Sequence, residues 1–256
     1  MSKKDARLAA EKSDILSAKR EANLGEFKDV CKIQSRYRPN NDSLLNAFEA
    51  SVIFSQEEGG SGSCIDESGI ILTCCHVLGA GIAKAKVGRK LHGVFMSGLV
   101  FLAEAIAIDE VADVAVMRII KARSSKGVNV LTFPFVSLAE EAQNKKNQGC
   151  YCIGQPYPFD LEGEEGKEGE KMEWDLVTTS RGKVKSVMEG DVLDNSDIGK
   201  LVHDAWTYWG HSGAPLYDTT GCVIGMHSSW DDETCNRHGV ALEALHHFYA
   251  KWKDLF

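Results

Sequence analysis

The sequence lacks the features that mark several common classes of protein. No apolar run approaches the ~20 residues that a membrane-spanning helix requires. The opening residues, MSKKDARLAAEKSD, contain no apolar core of a secretory signal, so we expect an intracellular protein, in the cytoplasm or alternatively in the nucleus. Basic residues number 29 against 37 acidic ones, and the resulting net charge of -8 disfavours nucleic acid and anionic membrane as partners.

Metal-binding spacings are also missing. Neither CxxC nor HExxH occurs, and the histidines of the second half are scattered, so we expect no metal and no cofactor. Cysteine is present, but Cys74 and Cys75 are adjacent, and Cys150 and Cys152 alternate along one apparent strand. This placement favours small buried hydrophobes with free thiols over a disulfide framework. A redox switch beside His76 is the alternative for the adjacent pair.

The chain divides into a charged arm and one larger domain. Residues 1–42 are rich in Lys, Glu, Ala and Asp and predict a charged helical arm. Asn41 or Asp42 is placed to cap a short helix that follows. Residues 160–175 are mostly Glu and Gly and predict a solvated surface loop, with a regulatory or partner-binding loop as the alternative.

From residue 50 onward, short apolar runs alternate with Gly, Asp and Asn clusters. Strands are predicted at 51–54, 70–73, 94–95, 114–119, 150–153, 176–179, 184–188 and 222–226, with turns at 60–63 and 66–69. Many short strands with such punctuation indicate an all-β sandwich or barrel. Apolar spacing of three to four over 242–252 predicts a helix packed back on the body.

Three segments carry residues for acyl transfer, which needs a nucleophile, a base and an acid that orients the base. Ser212 lies between glycines in GHSGAPL (210–216), which is typical of a nucleophile turn. His76 ends the apolar run IILTCCHV (70–77), where a strand would hold it rigidly. Asp113 lies inside VADVAVM (111–117), where a lone charge is costly unless it is paired. Asp109 is the competing carboxylate, but it neighbours Glu110 in a polar turn.

These blocks resemble those of trypsin-like serine proteases. GSGSCIDESGIILTCCHV (60–77), DEVADVAVMRI (109–119) and HDAWTYWGHSGAPLYDTTGCVIGMHSS (203–229) are similar, in this order, to the His, Asp and Ser blocks of the HtrA/DegP-type branch. GCYCIGQP (149–156), VTTSRGKVKS (177–186) and HGVALEAL (238–245) resemble supporting strands of that branch, so that the likeness covers about residues 45–250.

The resemblance implies a fold and a set of roles. It implies two antiparallel six-stranded β-barrels within a protease domain at 43–256, the first at about 45–140, the second at about 145–245, and a C-terminal helix at about 242–254. Ser212 is implied as the nucleophile, His76 as general base and then general acid, and Asp113 as the orienting carboxylate. The backbone N–H groups of Gly210 and Ser212 are implied as the oxyanion hole, where each donor contributes about 2.7–4 kcal/mol at the transition state.

The sequence departs from the family pattern at three points. His211 stands where digestive enzymes have Asp and the HtrA branch usually has Asn, so it is expected to perturb the oxyanion loop. Ala214 replaces a usual glycine and would strain the turn only with a positive φ. No PDZ domain is expected after the C-terminal helix.

The resemblance also implies a substrate pocket. Its residues are Trp206, Thr207, His227, Ser228, Ser229 and Trp230. Trp206 takes the pocket-floor position, and the absence of Asp there argues against cleavage after Lys or Arg. The strand 227–230 is expected to pair with substrate backbone. Trp230 either narrows the pocket toward small or medium apolar side chains or fills the core.

The sequence therefore predicts a serine endopeptidase that acts on protein or peptide substrates through Ser212, His76 and Asp113. The alternative is a catalytically impaired pseudoprotease that binds peptides or partners, for which His211, Ala214 and Trp230 are the motivation. A second alternative is a scaffold that recruits partners through the arm at 1–42 and the loop at 160–175.

Overall fold

The structure is a computed structural model of the chain, and it describes residues 42–54, 59–79, 81–123, 132–140, 146–159, 161, 169–172, 174–231 and 233–255. The arm predicted at 1–42 lies outside the described residues except for Asp42, and so does most of the acidic loop predicted at 160–175. Within the described ranges, every helix is too short or too polar to cross a bilayer.

The first half of the described chain forms one closed antiparallel barrel. Helix α1 (Asp42–Ala50) leads into β1 (Ser51–Phe54), β2 (Ser61–Asp66), β3 (Ile70–Cys74), β4 (Lys90–Phe95), β5 (Val100–Asp109) and β6 (Val114–Arg123), with 3-10 turns at Cys75–Leu78 and Ile82–Lys84. The strands close in the order β1-β2-β3-β6-β5-β4. Burial alternates along β5, as it must where one face of a strand meets a core.

The second half forms a second closed barrel. Its strands are β7 (Gly149–Gly154), β8 (Thr178–Val187), β9 (Leu201–His203), β10 (Pro215–Tyr217), β11 (Val223–Trp230) and β12 (Arg237–Ala241), followed by α2 (Leu242–Trp252) and a 3-10 turn at Lys253–Leu255. They close in the order β10-β11-β12-β9-β8-β7. The two six-stranded barrels and the helix at 242–252 confirm the predicted fold class.

Each barrel has its own apolar core. Phe101 packs edge-to-face on Phe54 and Phe95 inside the first barrel, with ring centroids 6.3 and 5.3 Å apart. The second core is built from small and aliphatic side chains, among them the predicted pair Cys150 and Cys152, which point inward from alternate positions of β7. The seven cysteines of the described ranges are free thiols, five of them buried.

Tyr217 links the two barrels through hydrogen bonds of its side chain. Its side chain is fully buried, and its hydroxyl lies 2.9 Å from Oγ of Ser51 and 2.9 Å from Oγ of Ser63. Tyr217 belongs to β10 of the second barrel, whereas the serines belong to β1 and β2 of the first. Burial raises the pKa of the phenol well above its ordinary value, because a phenolate here would lose its solvation. The phenol therefore stays protonated, and a neutral hydrogen-bonded group fixes the barrel-to-barrel contact.

Two local predictions were wrong. Residues 60–63, predicted as a turn, run into strand β2 (Ser61–Asp66). Gly62 is needed there because a Cβ would lie 2.8 Å from the carbonyl oxygen of Leu72 on the neighbouring strand. The runs at 176–179 and 184–188 were predicted as separate strands but belong mostly to one strand, β8 (Thr178–Val187). The polar segment between them is strand because it pairs with β7 along its length.

Other strands left too weak a pattern to be predicted. Strands β9 and β10 have three residues each, which is too short for a period of two to be visible. Strand β5 alternates correctly, but its inward positions are largely Ala, a residue depleted in strands. These segments are strands because their neighbours in the closed barrels supply the pairing.

Candidate functional site

The register between β3 and β6 brings His76 to Asp113. Cys74 is the Cα partner of Val114, so the residues just beyond this pair lie side by side at the barrel end. The amide of Cys75 donates to the carbonyl oxygen of Asp113 over 3.2 Å. Asp113 has a φ of 51°, in the left-handed region that non-glycine residues rarely adopt. This conformation turns its side chain back toward the 3-10 turn that carries His76.

The Asp113 carboxylate holds both the backbone and the ring of His76. Oδ1 accepts the His76 amide over 3.1 Å, and Nδ1 of the ring lies 2.9 Å from Oδ2 and 3.1 Å from Oδ1. Because an ionised carboxylate only accepts hydrogen bonds, Nδ1 carries a proton. Asp113 is buried, whereas His76 is partly open to solvent. In a neutral ring the free lone pair is then on Nε2. Asp109, the competing candidate, instead accepts the amides of Val111 and Ala112.

Ser212 lies with His76 on one cavity of about 710 Å³. Its hydroxyl donates to the carbonyl oxygen of Ser228 over 3.4 Å. Among the described residues, no hydrogen bond joins Ser212 Oγ to His76. Hydrogen bonds of this kind are often long before substrate binds.

The turn around Ser212 is clamped onto the first barrel. Ser61 donates its amide to the carbonyl oxygen of Ser212 over 2.8 Å and its Oγ to that of Gly210 over 3.0 Å. Thr73 Oγ1 in turn donates to the Ser61 carbonyl over 2.8 Å. The sequence predicts a turn at GSGS and assigns no role to Ser61. Its burial is visible only in the structure.

The Trp209–Gly210 peptide has a fixed direction. The carbonyl oxygen of Trp209 accepts the amide of Tyr157 over 2.6 Å. In a trans peptide the N–H points opposite to the carbonyl, so the Gly210 N–H points away from Tyr157. Neither the Gly210 nor the Ser212 N–H has an acceptor in the described part of the protein, and both residues line the cavity.

His211 stabilises the loop at 208–212 from its buried side. The ring is fully buried, with Nδ1 3.0 Å from the carbonyl oxygen of Tyr208 and Nε2 2.9 Å from Thr178 Oγ1. Desolvation lowers its pKa to about 4, so the ring is neutral at physiological pH. The predicted perturbation is therefore replaced by a buried support. Ala214 is not among the residues of positive φ, so its methyl group adds no backbone strain.

All six residues predicted for the substrate pocket line the same cavity as Ser212. Trp206 is 37% exposed and contacts Trp174 edge-to-face at 5.4 Å. Trp230 is 38% exposed, which excludes the interpretation of it as core filling. The sequence interpretation did not anticipate Tyr157, Trp209 and Arg237, which also line the cavity. Arg237 lies on β12, within a segment whose sequence carried no signal of a cleft residue.

The described residues contain one cluster of potential metal ligands, Cys74, His76 and Asp113, whose ligand atoms lie within 4.8 Å of one another. The cluster does not fit a metal. Asp113 is engaged by His76, and the Cys74 thiol donates to the carbonyl oxygen of His227 over 3.4 Å. Desolvation, with the nearby Asp113 charge, raises the pKa of Cys74 well above its ordinary value, and a protonated thiol is a poor ligand.

Comparisons with known proteins agree with this geometry. A family model described as trypsin-like peptidase domain matches residues 60–226. Serine protease HTRA1 of Xenopus laevis is 28% identical over 190 residues, 72% of this chain and 35% of that protein. HTRA1 of Xenopus tropicalis is 29% identical over the same shares. The chain thus spans about a third of the length of these relatives.

Solved structures show the same fold. The inactive form of the Rv3671c protease of M. tuberculosis superimposes with a TM-score of 0.56, at 17% identity, over 83% of this chain and 93% of that one. An inactive mutant of Rv3671c from strain H37Rv gives a TM-score of 0.57 over 83% and 90% of the two chains.

Proposed function

The chain belongs to the trypsin-like peptidase family, and from that premise we propose that it is a serine endopeptidase whose nucleophile is Ser212. The observation that carries the proposal is the pairing of His76 Nδ1 with the buried Asp113 carboxylate at 2.9 Å. With the proton on Nδ1, the lone pair of His76 is on Nε2, and His76 and Ser212 line the same cavity. A base held in one tautomer beside a hydroxyl is what proton abstraction from serine needs.

The reaction begins when a peptide carbonyl enters beside Ser212. His76 Nε2 takes the proton of the hydroxyl as Oγ bonds to the carbonyl carbon, and the carbonyl oxygen becomes an oxyanion. The buried Asp113 carboxylate stabilises the imidazolium that forms. The N–H groups of Gly210 and Ser212, which have no acceptor among the described residues, donate to the oxyanion.

Collapse of this intermediate breaks the peptide C–N bond. His76 gives its proton to the leaving amine, and the acyl group stays on Ser212 as an ester. In the second half of the reaction, water takes the place of the serine hydroxyl. It loses a proton to His76 while its oxygen attacks the ester. The final collapse returns the proton to Ser212 Oγ and releases the new carboxylic acid.

An extended peptide fits along β11. Residues Ser229 and Trp230 pair with β12 on one side, and β10 reaches only as far as Met226 on the other. Within the described chain, the edge beside Ser228–Trp230 is therefore open to a substrate strand.

The pseudoprotease alternative is weaker. It was motivated by His211 and Ala214, yet His211 braces the loop and Ala214 has an ordinary φ. Trp230 is exposed on the same cavity, which Ser212 still lines.

The proposal is tested by active-site labelling with a fluorophosphonate, followed by identification of the modified residue, and by peptide cleavage. We expect a single label on Ser212, and loss of both labelling and cleavage in Ser212→Ala. The matched control is Ser68→Ala, an exposed serine in the β2–β3 turn whose hydroxyl makes no described contact. Cleavage that survives Ser212→Ala would contradict the proposal.

A further inference from the structure

The cavity beside Ser212 is lined by hydrogen-bond donors and by no carboxylate among its described residues. This is unexpected in a chain with a net charge of -8. Three of the lining residues carry donors that a substrate side chain in the cavity could meet: His227, Thr207 and Arg237. His227 is close to the nucleophile, because its carbonyl accepts the amide of Gly213 over 2.9 Å.

The protonation of His227 follows from its neighbour His203. Nε2 of His203 lies 3.1 Å from Nδ1 of His227, so one ring donates to the other. The remaining nitrogen of His203, Nδ1, is buried without a partner in the described chain. A buried N–H without an acceptor is rarer and more costly than an idle lone pair. We therefore assign the His203 proton to Nε2, which makes His227 Nδ1 the acceptor.

This assignment leaves His227 with its proton on Nε2. Desolvation holds the pKa of both rings far below the ordinary value, to about 3 for His203, so each ring is neutral and carries one proton. Nε2 of His227 makes no hydrogen bond within the described residues, and the ring lines the cavity. His227 thus offers a fixed donor to whatever occupies the cleft.

Arg237 offers a second donor and a full positive charge. Its Nε is buried and has no acceptor in the described part of the chain. Nη1 makes a long hydrogen bond, 3.4 Å, to the carbonyl oxygen of Cys235. No carboxylate of the described ranges lies within ion-pair distance of Arg237. A cation that lines the cavity without a carboxylate partner in the described chain is suited to an anionic ligand group.

The carboxylates that follow the strand partners of Arg237 are already engaged elsewhere. Asp204, which follows His203, pairs with Lys185 at 2.6 Å. Asp231, which follows Trp230, accepts the amide of Glu233 over 3.0 Å and the hydroxyl of Thr234. Neither is available to neutralise Arg237.

We propose that this cleft binds an acidic side chain, glutamate or aspartate, on the residue immediately before the cleaved bond, with His227 Nε2 and Arg237 donating to its carboxylate. The inference rests on the proposed function and deepens it. It departs from the small or medium apolar preference considered from the sequence. A glutamine accepts the same hydrogen bonds but lacks the charge that Arg237 pairs with, so it is the closest competitor.

The test uses peptides that differ only at that residue, as Glu, Gln, Ala or Lys, with kcat/KM as the readout. We expect Glu to exceed Gln by at least about tenfold, with Lys the poorest. Arg237→Gln should reduce the Glu-to-Gln ratio by about tenfold or more. Arg89→Gln, an exposed arginine in the loop before β4, is the matched control and should leave the ratio unchanged. An Ala or Lys peptide cleaved as well as the Glu peptide would overturn the inference.

Fluorophosphonate labelling of Ser212 separates this outcome from failure of the proposed function. If Ser212 is labelled and the Glu preference is absent, the inference fails alone. If no peptide is cleaved, binding to the Ser212→Ala protein decides, with fluorescent peptides that end in Glu, Gln or Lys. Tighter binding of the Glu peptide that weakens in Arg237→Gln supports the acidic site, and equal binding of all three overturns it.

Discussion

Ser61 Oγ donates a hydrogen bond to the carbonyl oxygen of Gly210 over 3.0 Å. This contact joins strand β2 of the first barrel to the loop whose N–H groups face the cavity. Because the Ser61 amide also holds the Ser212 carbonyl, one residue fixes both ends of the nucleophile turn. The proposed oxyanion donors, the N–H groups of Gly210 and Ser212, are therefore positioned by the barrel that also carries His76.

Replacing Ser61 with alanine should lower both activity and stability. The variant leaves the Gly210 carbonyl without its buried donor, at a cost of about 1–2 kcal/mol in unfolding free energy. We expect kcat to fall about tenfold or more, because the oxyanion donors lose their fixed direction.

Ser63→Ala is the matched control for Ser61→Ala. Ser63 lies two residues along the same strand and loses a buried hydrogen bond of 2.9 Å to Tyr217, away from the loop. Denaturant unfolding and kcat are measured on both variants. Equal effects of the two on kcat would show that Ser61 has no positioning role.

Asp113→Asn should lower kcat by about ten-thousand-fold with little change in KM. The amide keeps the shape of the carboxylate but donates as well as accepts, so it favours the wrong His76 tautomer and cannot stabilise an imidazolium. Asp109→Asn is the control, because Asp109 caps the turn at Val111 and Ala112 and makes an exposed pair with Lys251. Similar kcat losses in the two variants would contradict the assignment of Asp113.

The sequence predicted the parts of this site whose chemistry is local. Asp113 could be preferred over Asp109 because a charge inside an apolar segment needs a partner. Ser212 and His76 stood in motifs with recognisable flanks. The two barrels followed from strand punctuation together with the family resemblance.

Contacts between residues far apart in the chain could not be predicted from the sequence. Arg237 enters the cavity because β12 pairs with both β9 and β11, a register that no local pattern encodes. The His203–His227 pair depends on the same register. The supporting role of His211 could not be predicted because one of its two partners, Thr178, lies on a distant strand.

Gly213→Ala should abolish folding or activity. Gly213 has a φ of 81°, and a Cβ there would collide with the carbonyl oxygen of Ser61 and with Oγ1 of Thr73. Backbone strain alone costs about 1–2 kcal/mol for an L-residue in this region. The collision adds to this, since both atoms belong to the strands β2 and β3 that hold the turn in place.

Gly169→Ala separates the collision from the strain. Gly169 has a φ of 85° with open space where its Cβ would stand. The Gly169→Ala variant should be destabilised only by the backbone strain and should keep its activity. Thermal unfolding and fluorophosphonate labelling distinguish the two variants, and equal losses would show that the collision is relieved by movement of the turn.

Acid should destabilise the protein through its buried neutral histidines. His211 has its pKa lowered by burial to about 4, against 6.5 for a free ring. Between these values the unfolded chain binds a proton that the folded chain does not, so stability is complete above about pH 6.5 and falls as the pH drops toward about 4. For His211 the total loss is about 3 kcal/mol.

The measurement is the free energy of unfolding by urea at several pH values between 4 and 7. His211→Asn should show a shallower fall over this window, even though its stability at pH 7 is lower, because it has no ring to protonate on unfolding. His247→Asn, which changes an exposed ring on α2, should keep the full slope. A slope that is unaffected by His211→Asn would mean that the acid sensitivity arises from the other buried rings, His203 and His227, which lie against each other.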